Sequence, residues 1–381
     1  MAGLTTNTVD GVDDASLKAE LAEIAEAYAV DRIGFCSAAV FEDVRRTLHD
    51  RKADGLSADM AFTYRNPDRA TDPQRALPGA QALVVGARSY RRRREPGEVA
   101  KPTAEVAEYV WEQHYVELHA GLNAISERLR ADGWKTRILL DDNALVDRAA
   151  AHRAGLGWWG KSANILIPEI GSKIVLGSVV TDAPLNVADE PMADQCGPCR
   201  RCIDSCPTDA IVADGVIDAN RCLAWLVQAT GVFPREHRQG LGARIYGCDE
   251  CQATCPPNLV TDRREPAPIT GGEAMVAVEE LLTLDDEGLI ERFGAWYIPK
   301  RDPRYLRRNA LVVLGNVGDG KADQTRTWLD TYLQSGDDLL VSHAVWAAHV
   351  LGCADLIVPL ERDEVGPMTS AELSAIGGVP R

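Results

Sequence analysis

Cys196-Gly-Pro-Cys199-Arg-Arg-Cys202-Ile-Asp-Ser-Cys206-Pro207 is the stretch that organises this chain of 381 residues. Its spacing, C-x2-C-x2-C-x3-C-P, is the one with which cysteine thiolates wrap an iron–sulfur cubane. A second run, Cys248-Asp-Glu-Cys251-Gln-Ala-Thr-Cys255-Pro256, has the same ending and lacks only the first cysteine. Cys222, which lies between the two runs, supplies the missing ligand. The pattern predicts two 4Fe–4S clusters.

The spacing also predicts which cysteines share a cluster. Cysteines two residues apart can turn inward onto one cluster, whereas the cysteine before proline reaches the other cluster. The first cysteine group is therefore Cys196, Cys199, Cys202 and Cys255, and the second cysteine group is Cys206, Cys222, Cys248 and Cys251. A pair of zinc sites is the alternative, although zinc sites usually combine two C-x2-C pairs without a trailing Cys-Pro. A disulfide framework is disfavoured because so many tightly spaced thiols without a secretory leader indicate metal.

Composition and charge narrow the class of protein. The length predicts two or three domains, and 45% hydrophobic residues are enough for a substantial core. The first twenty residues are polar and acidic, and no apolar run reaches the length of a membrane span, so we expect a cytoplasmic protein. The net charge of −16 disfavours nucleic-acid binding over the whole surface but leaves room for a local basic patch. Residues 91–94 and 300–308 are the candidates; a solvated, ion-paired surface is the alternative for each.

Hydrophobic periodicity predicts a mixed N-terminal region. Residues 1–13 read as a disordered tail. Helices are expected over 16–29, 41–53, 103–131 and 143–154, and strands over 31–36, 81–88 and 136–140. Residues 165–168 and 173–181 look like a pair of strands joined by a turn at Gly171. The absence of a regular βαβ rhythm favours an α+β layered fold, and no dinucleotide or P-loop fingerprint is present.

The chain divides into four predicted segments after the tail. A catalytic domain spans 14–188, a ferredoxin-like domain for the two clusters spans 189–260, and a Pro- and Gly-rich linker spans 261–275. Amphipathic helices over 305–317 and 339–351 predict that 276–381 form a small α-helical repeat region. Cys36 and Cys353 lie outside the cluster pattern and are expected to be buried core thiols.

The polar stretch after the strand at 136–140 is the best candidate for proton chemistry. Asp141 stands at the end of this apolar strand, and a partly buried carboxyl there would have a raised pKa and could donate a proton. Alternatively, Asp142 or Asn143 caps the next helix and Asp141 is only its neighbour. The glycines of residues 155–162 would let the backbone approach a large ligand. Because an electron carrier needs far fewer residues, the large N-terminal region favours an enzyme.

Several segments together resemble the epoxyqueuosine reductase family over nearly the whole chain. They are AGLGWWGKSANILI, LGSVVTDAPL, CGPCRRCIDSCPTDAIV, RCLAWL, RIYGCDECQATCP and LRRNALVVLGN. Cysteine spacing alone fits many proteins, whereas its combination with GLGWWGK and RIYGCDECQ is much more specific.

The resemblance implies a fold and a reaction. In that family a nitroreductase-like domain binds cobalamin, the clusters feed electrons to cobalt, and HEAT-like repeats help to hold a tRNA anticodon stem-loop. The implied reaction reduces the epoxide of epoxyqueuosine, at the tRNA wobble position, to the alkene of queuosine. It consumes two electrons and two protons and releases water, so an external electron donor of flavodoxin or ferredoxin type is also implied.

The resemblance further implies roles for individual residues. The family's proton-donating aspartate falls on Asp141. The cobalamin-binding region matches Gly155, Gly157, Trp158, Gly160, Lys161, Ser162 and Asn164. The implied tRNA phosphate contacts are Arg301, Arg304, Arg307 and Arg308.

Three positions depart from the family pattern. The family usually has Asp-Ser-Ala-Pro where this chain has Asp141-Asp142-Asn143-Ala144, and Asp-Tyr-His where it has His114-Tyr115-Val116. Pro257 replaces a usual tryptophan after the last cluster ligand. A cobalamin and iron–sulfur reductase of a small molecule is therefore the second hypothesis, and a non-enzymatic electron carrier is the third.

Overall fold

The computed structural model describes residues 14–93, 99–187, 189–262, 267–269, 273–362 and 364–377. The predicted tail at 1–13 and most of the Pro- and Gly-rich part of the predicted linker lie outside these residues. None of the described helices is both long enough and apolar enough to cross a membrane.

The first half of the chain alternates helices and strands. The elements are α1 (Asp14–Ala27), β1 (Arg32–Ser37), α2 (Glu42–Ala53), α3 (Pro67–Ala70), α4 (Pro73–Ala76), β2 (Ala82–Ser89), β3 (Thr103–Val106), α5 (His114–Ala131), β4 (Thr136–Leu140), α6 (Asp147–Arg153), β5 (Trp158–Trp159), β6 (Ile165–Leu166) and β7 (Ile174–Thr181).

A four-stranded antiparallel sheet, in the order β1-β2-β7-β4, is the centre of this half. Side chains alternate across β2, so that Leu83 and Val85 face one layer while Val84 faces the other. The first layer is α6 with its buried alanines, and the second layer is α1 with α5. The expected α+β layers are therefore present, and β4 places its C-terminal end, Leu140, at an edge of the sheet.

The cysteine-rich segment consists of short elements. They are α7 (Arg201–Asp204), β8 (Ile211–Ala213), β9 (Val216–Ile217), α8 (Leu223–Leu226), α9 (Arg235–Leu241), β10 (Arg244–Tyr246), α10 (Glu250–Ala253) and α11 (Pro256–Asp262). Such short pieces cannot bury much apolar surface alone, and they pack instead against the rest of the chain.

The final region is helical. Its elements are β11 (Met275–Ala277), α12 (Val278–Thr283), α13 (Asp286–Phe293), α14 (Arg304–Val317), α15 (Asp323–Leu333), α16 (Asp338–Val350), α17 (Ala354–Ile357) and α18 (Pro367–Ala375). The predicted helices at 305–317 and 339–351 correspond to α14 and α16, which pack against each other. Cys353 is fully buried beside them, as expected for a core thiol.

The predicted helix over 103–131 is wrong in its first third. Thr103–Val106 is β3, the middle strand of a second sheet in the order β10-β3-β11. It pairs parallel with Arg244–Tyr246 and antiparallel with Met275–Ala277, both more than 100 residues away in sequence. Helical periodicity misassigned these residues because their partners are remote.

Two further predictions need correction. The helix expected over 143–154 begins only at Asp147, because side chains of the preceding residues hold a turn. The expected strand pair also has different partners, since Ile165–Leu166 pairs with Trp158–Trp159 and Ile174–Thr181 joins the main sheet. Gly171 does occupy a turn, with φ of 87°.

Candidate active site

The cluster cysteines lie within or near the short elements of the cysteine-rich segment, and Cys196 and Cys199 precede α7. Cys202 is in α7, Cys251 is in α10, and Cys222 and Cys255 directly precede α8 and α11. All eight are free thiols, and none is in a disulfide. All eight residues are partly buried, so they are shielded from solvent in part and are not core residues.

Electrostatic interactions link most of these thiols to members of the group predicted for them, and Cys202 also acts on the other group. Burial raises the pKa of Cys255 to about 11, and the thiols that add to this shift are Cys202, Cys196 and Cys199. Burial also raises the pKa of Cys251, with contributions from Cys248, Cys222, Cys202 and Cys206. The effect of Cys202 on Cys251 indicates that the two groups are neighbours.

The backbone supports the second cysteine group. The amide N–H of Ala210 donates a hydrogen bond to Cys206 Sγ at 3.2 Å, an interaction that would stabilise a thiolate ligand. Within the described part of the chain, no three His, Cys, Asp or Glu side chains converge closely enough to hold a single metal ion. The thiols are thus spaced more widely than the ligands of a mononuclear site.

Asp141 directly follows β4 and turns the chain away from the sheet. Its φ is 51°, in the left-handed region, which aspartate tolerates better than most residues. Asp142 Oδ1 accepts a hydrogen bond from the N–H of Ala144 at 2.8 Å, and Asn143 Oδ1 accepts one from the N–H of Thr63 at 2.7 Å. Neither side chain caps α6, whose N-terminal flanking residue, Val146, makes no side-chain cap. The helix-capping alternative for this stretch is therefore wrong.

The surroundings of Asp141 shift the pKa of its carboxyl upward. Desolvation by the surrounding protein raises the pKa of Asp141, and the carboxylate of Asp142 raises it further. Burial raises the pKa of Tyr246 to about 12, and Asp141 is among the charges that contribute. Because Tyr246 lies two residues before Cys248, it connects the surroundings of Asp141 to the second cysteine group.

Two more titratable side chains approach Asp141. Desolvation of its hydroxyl raises the pKa of Tyr115, and the next contributions come from Asp141 and Asp147. Burial likewise raises the pKa of Asp147, with Asp141 as the next cause. The site therefore contains three carboxyls, those of Asp141, Asp142 and Asp147, and two phenols. They are contributed by the β4–α6 connection, the first residue of α6, α5 and β10.

The glycine-rich segment packs tightly against its own chain. A Cβ atom on Gly157 would lie 2.2 Å from the carbonyl oxygen of Leu166, and one on Gly160 would lie 2.3 Å from Leu166 Cδ1. These glycines are thus required by the β5–β6 hairpin itself, a reason that was not anticipated. Gly155 has φ of 68°, which also favours glycine.

The same segment borders the second cysteine group. Asn164 Nδ2 lies 4.0 Å from Cys251 Sγ and donates to Ser162 Oγ at 3.3 Å. Lys161 Nζ pairs with Asp214 at 3.2 Å, and its carbonyl accepts the N–H of Gly215 at 3.0 Å. Trp158 is buried, and its indole Nε1 has no hydrogen-bond partner among the described residues.

The arginines near α14 differ in their availability. Arg301 is exposed, and the half-exposed Arg304 is paired with Asp302 and with Asp337. Arg307 is bound to Asp286 and to the carbonyl oxygen of Leu284. The guanidinium of Arg308 is fully buried and donates to the carbonyl oxygens of Ala229, Gly231 and Leu226. The expectation that Arg308 contacts phosphate is therefore wrong in this structure, because its donors are already occupied.

The positions that depart from the family pattern are also defined. His114 is buried at the start of α5 with its ring 5.6 Å from that of Tyr90, whereas Val116 is exposed. Pro257 is in the first turn of α11, and its carbonyl oxygen accepts from Thr261 Oγ1 at 3.1 Å.

Comparison with known proteins identifies the cysteine-rich segment and the family of the chain. Residues 195–258 match the family described as a 4Fe-4S double cluster binding domain, which confirms the prediction of two iron–sulfur clusters and excludes the zinc alternative. Over 322 residues, 82% of this chain and 83% of the relative, the sequence is 32% identical to an epoxyqueuosine reductase of Bacillus cereus. It is 31% identical over 347 residues to one of Xanthomonas campestris, with 88% of this chain and 96% of the relative covered.

Two solved structures are similar along nearly their whole length. One is an epoxyqueuosine reductase with an epoxyqueuosine-modified tRNA stem loop, with a TM-score of 0.84, 27% identity, and coverage of 96% of this chain and 99% of that one. The other is the Bacillus subtilis enzyme with an aspartate-bearing catalytic loop swung out of its active site, with a TM-score of 0.83, 27% identity and the same coverage, 96% and 99%.

Proposed function

Because the chain belongs to the epoxyqueuosine reductase family, we propose that it reduces the epoxide of epoxyqueuosine in tRNA to the alkene of queuosine. The reaction takes up two electrons and two protons for each epoxide, and the oxygen leaves as water. A tRNA substrate also agrees with the expected cytoplasmic location. The proposal includes the finer features implied by the resemblance, namely the nitroreductase-like and HEAT-like folds and the domain limits given above.

The single observation that carries this proposal is the position of Asp141. Its carboxyl has a raised pKa, lies at the end of a rigid strand, and is linked through Tyr246 to the second cysteine group. A proton donor beside an electron supply is what the reduction of an epoxide requires, because an oxygen that leaves without a proton is a poor leaving group.

The residues present fit both cofactors. The two cysteine groups would hold the clusters, which supply one-electron transfer. Cobalamin would be held by the glycine-rich segment, where Trp158 keeps an unpartnered buried donor and Asn164 lies beside Cys251. When bound, cobalamin supplies the low-potential cobalt chemistry of the reduction.

The protein's own side chains supply the proton and can donate hydrogen bonds beside it. Asp141 is protonated near neutral pH more often than an ordinary aspartate, and it gives this proton to the departing oxygen. Tyr115 and Tyr246 stay neutral because burial raises the pKa of both phenols, so their hydroxyls can donate hydrogen bonds at the same place.

The tRNA contacts we propose are Arg301 and Arg304, with Arg307 as a third contact if its ion pair exchanges partners. Exposed guanidinium groups at the start of α14 suit phosphate oxygens. A tRNA stem loop is bound in the related structure with a TM-score of 0.84, which supports this assignment. The external donor would be a one-electron carrier of flavodoxin or ferredoxin type.

The test is an in vitro reaction with the purified protein loaded with both cofactors and reduced. An anticodon stem-loop that carries epoxyqueuosine and the free epoxyqueuosine nucleoside are supplied separately, and queuosine is quantified by mass spectrometry. We expect conversion of the stem-loop at a much higher rate than of the nucleoside. Conversion of neither would overturn the proposed function, and equal conversion of both would favour a small-molecule reductase.

A further inference from the structure

A second carboxyl lies close to Asp141 and has no role in the reaction as described so far. Asp147 is the first residue of α6, and its Oδ1 is buried without a hydrogen-bond partner among the described residues. Ala150 and Ala151, one turn further along the helix, are fully buried. Because residues three and four apart share a helix face, Asp147 lies on the buried side of α6.

The surroundings of Asp147 do not compensate a negative charge. Its charged neighbours are Asp141, Asp142 and Arg148, and Nη1 of Arg148 donates to the carbonyl oxygen of Ala163 at 3.2 Å. The sheet packed against α6 contributes the thiol of Cys36. This thiol donates to the carbonyl oxygen of Ala150 at 3.8 Å. A buried carboxylate with two acidic neighbours and an unpaired oxygen is costly, so the neutral acid is the stable form.

A neutral Asp147 would be a stored proton beside the residue that donates one. Asp141 is exposed to solvent, whereas Oδ1 of Asp147 is buried in the protein. Tyr115 interacts with both carboxyls, and its hydroxyl can donate and accept hydrogen bonds between them. The electrostatic interactions of Tyr115 thus place its phenol near both carboxyls, where it could relay a proton between them.

We propose that Asp147 is a positioning residue that stores the second proton of the reaction and delivers it through Asp141. The inference rests on the proposed function, in which one epoxide takes up two electrons, from a one-electron reductant, and two protons. Asp141 gives its proton to the oxygen as the carbon–oxygen bond breaks, and the proton of Asp147 then moves to the Asp141 carboxylate. Asp141 gives this proton as well, the oxygen leaves as water, and solvent restores both protons.

The first test compares the pH dependence of single-turnover rates at saturating stem-loop. Two interacting carboxyls keep one proton to a higher pH than a single carboxyl, and Asp147→Asn removes one of them. In this variant we expect the loss of activity at high pH to begin about one pH unit lower than in the wild type. Below the pKa values of both groups the rates should agree. Asp147→Glu should restore most of the wild-type profile, because it restores the acid.

Asp323→Asn is the matched control, since Asp323 is also the first residue of a helix, α15, but lies outside the site. Its profile should match the wild type. A variant Asp147→Asn whose rate falls equally at every pH would indicate a purely structural role and overturn the proposal. An unchanged profile would overturn it too, as would loss of cobalamin from the variant, which would make Asp147 a cofactor ligand.

A second readout does not depend on turnover. The infrared C=O stretch of a protonated carboxyl is separate from that of carboxylates, so at neutral pH it reports the few acids that remain protonated. We expect this band in the loaded wild-type protein and a weaker band in both Asp141→Asn and Asp147→Asn, because each variant lacks one of the two protonated carboxyls. A band that survives in Asp147→Asn with the wild-type intensity would contradict the storage of a proton at Asp147. If the wild type fails to reduce the stem-loop, the proposed function fails, and this band still decides the protonation of Asp147.

Discussion

Asp141 unites the features that a general acid needs. It directly follows the edge strand β4, the left-handed φ of 51° turns the chain away from the sheet, and desolvation and the carboxylate of Asp142 raise its pKa. The two residues that follow hold the turn through their own side chains, to Ala144 and to Thr63. The departure from the family pattern at Asp142 and Asn143 thus leaves a well-supported carboxyl in place.

We expect Asp141→Asn to retain the clusters and cobalamin but to lose at least about 100-fold in the rate of epoxide reduction, because an amide cannot supply the proton. The measurement is the single-turnover rate, with iron and corrin content determined on the same sample. Asp142→Asn is the control, since its side-chain oxygen can still accept the N–H of Ala144.

Loss of the Asp142 charge should change the pH dependence of activity. The carboxylate of Asp142 raises the pKa of Asp141, so its removal lowers that pKa. A general acid is active while protonated, and the activity of Asp142→Asn should therefore decline from a lower pH than that of the wild type. For the first of these two variants, Asp141→Asn, a rate of epoxide reduction equal to that of the wild type would show that Asp141 is not the proton donor.

At the scale of elements, α14 is attached to the cysteine-rich segment by a buried arginine. Arg308 donates to the carbonyl oxygen of Leu226, the last residue of α8, and to two in the connection that follows, and Asn309 Nδ2 donates to the carbonyl oxygen of Val227 at 2.8 Å. Burial lowers the pKa of Arg308 to about 9, which reflects how fully its charge is removed from water. Such a residue fixes the orientation of the helix and is unavailable to RNA.

Arg308→Met should destabilise the protein by about 3 kcal/mol, because several buried carbonyl oxygens lose their donor at once. In a chain of this size the midpoint of thermal unfolding should fall by about 4 °C. Arg301→Met is the matched control: it should change the midpoint little and should weaken binding of the stem-loop instead. An unchanged midpoint for Arg308→Met would contradict the structural role.

The elements that sequence predicts well are those whose signal is local. The strand at Thr136–Leu140 and the helices α14 and α16 carry regular apolar patterns and are found where expected. Strand β3 fails because its partners, β10 and β11, are distant in the chain. The burial of Arg308 had a usable signal, since it is three residues after Tyr305 and four before Val312, on the apolar face of α14.

For the whole molecule, the candidate site is a composite that spacing predicts only in part. The cysteine pattern predicted the two clusters, because cluster ligands obey short-range rules. Asp147 and Tyr246 were missed, because only the folded chain brings α6 and β10 to the end of β4. Asp147 did have a signal, its helical spacing from the buried Ala150 and Ala151. The net charge of −16 likewise gives no indication of the local group of exposed arginines at the start of α14.

The most direct test of the central claim is the tRNA of a cell that depends on this protein. The gene for the wild-type chain, or for Asp141→Asn, is expressed in a bacterial strain that lacks its own epoxyqueuosine reductase, and the tRNA nucleosides are quantified by mass spectrometry. We predict that the wild type replaces epoxyqueuosine by queuosine and that Asp141→Asn leaves epoxyqueuosine in place. Persistence of epoxyqueuosine with a wild-type protein shown to carry its clusters and cobalamin would contradict the account.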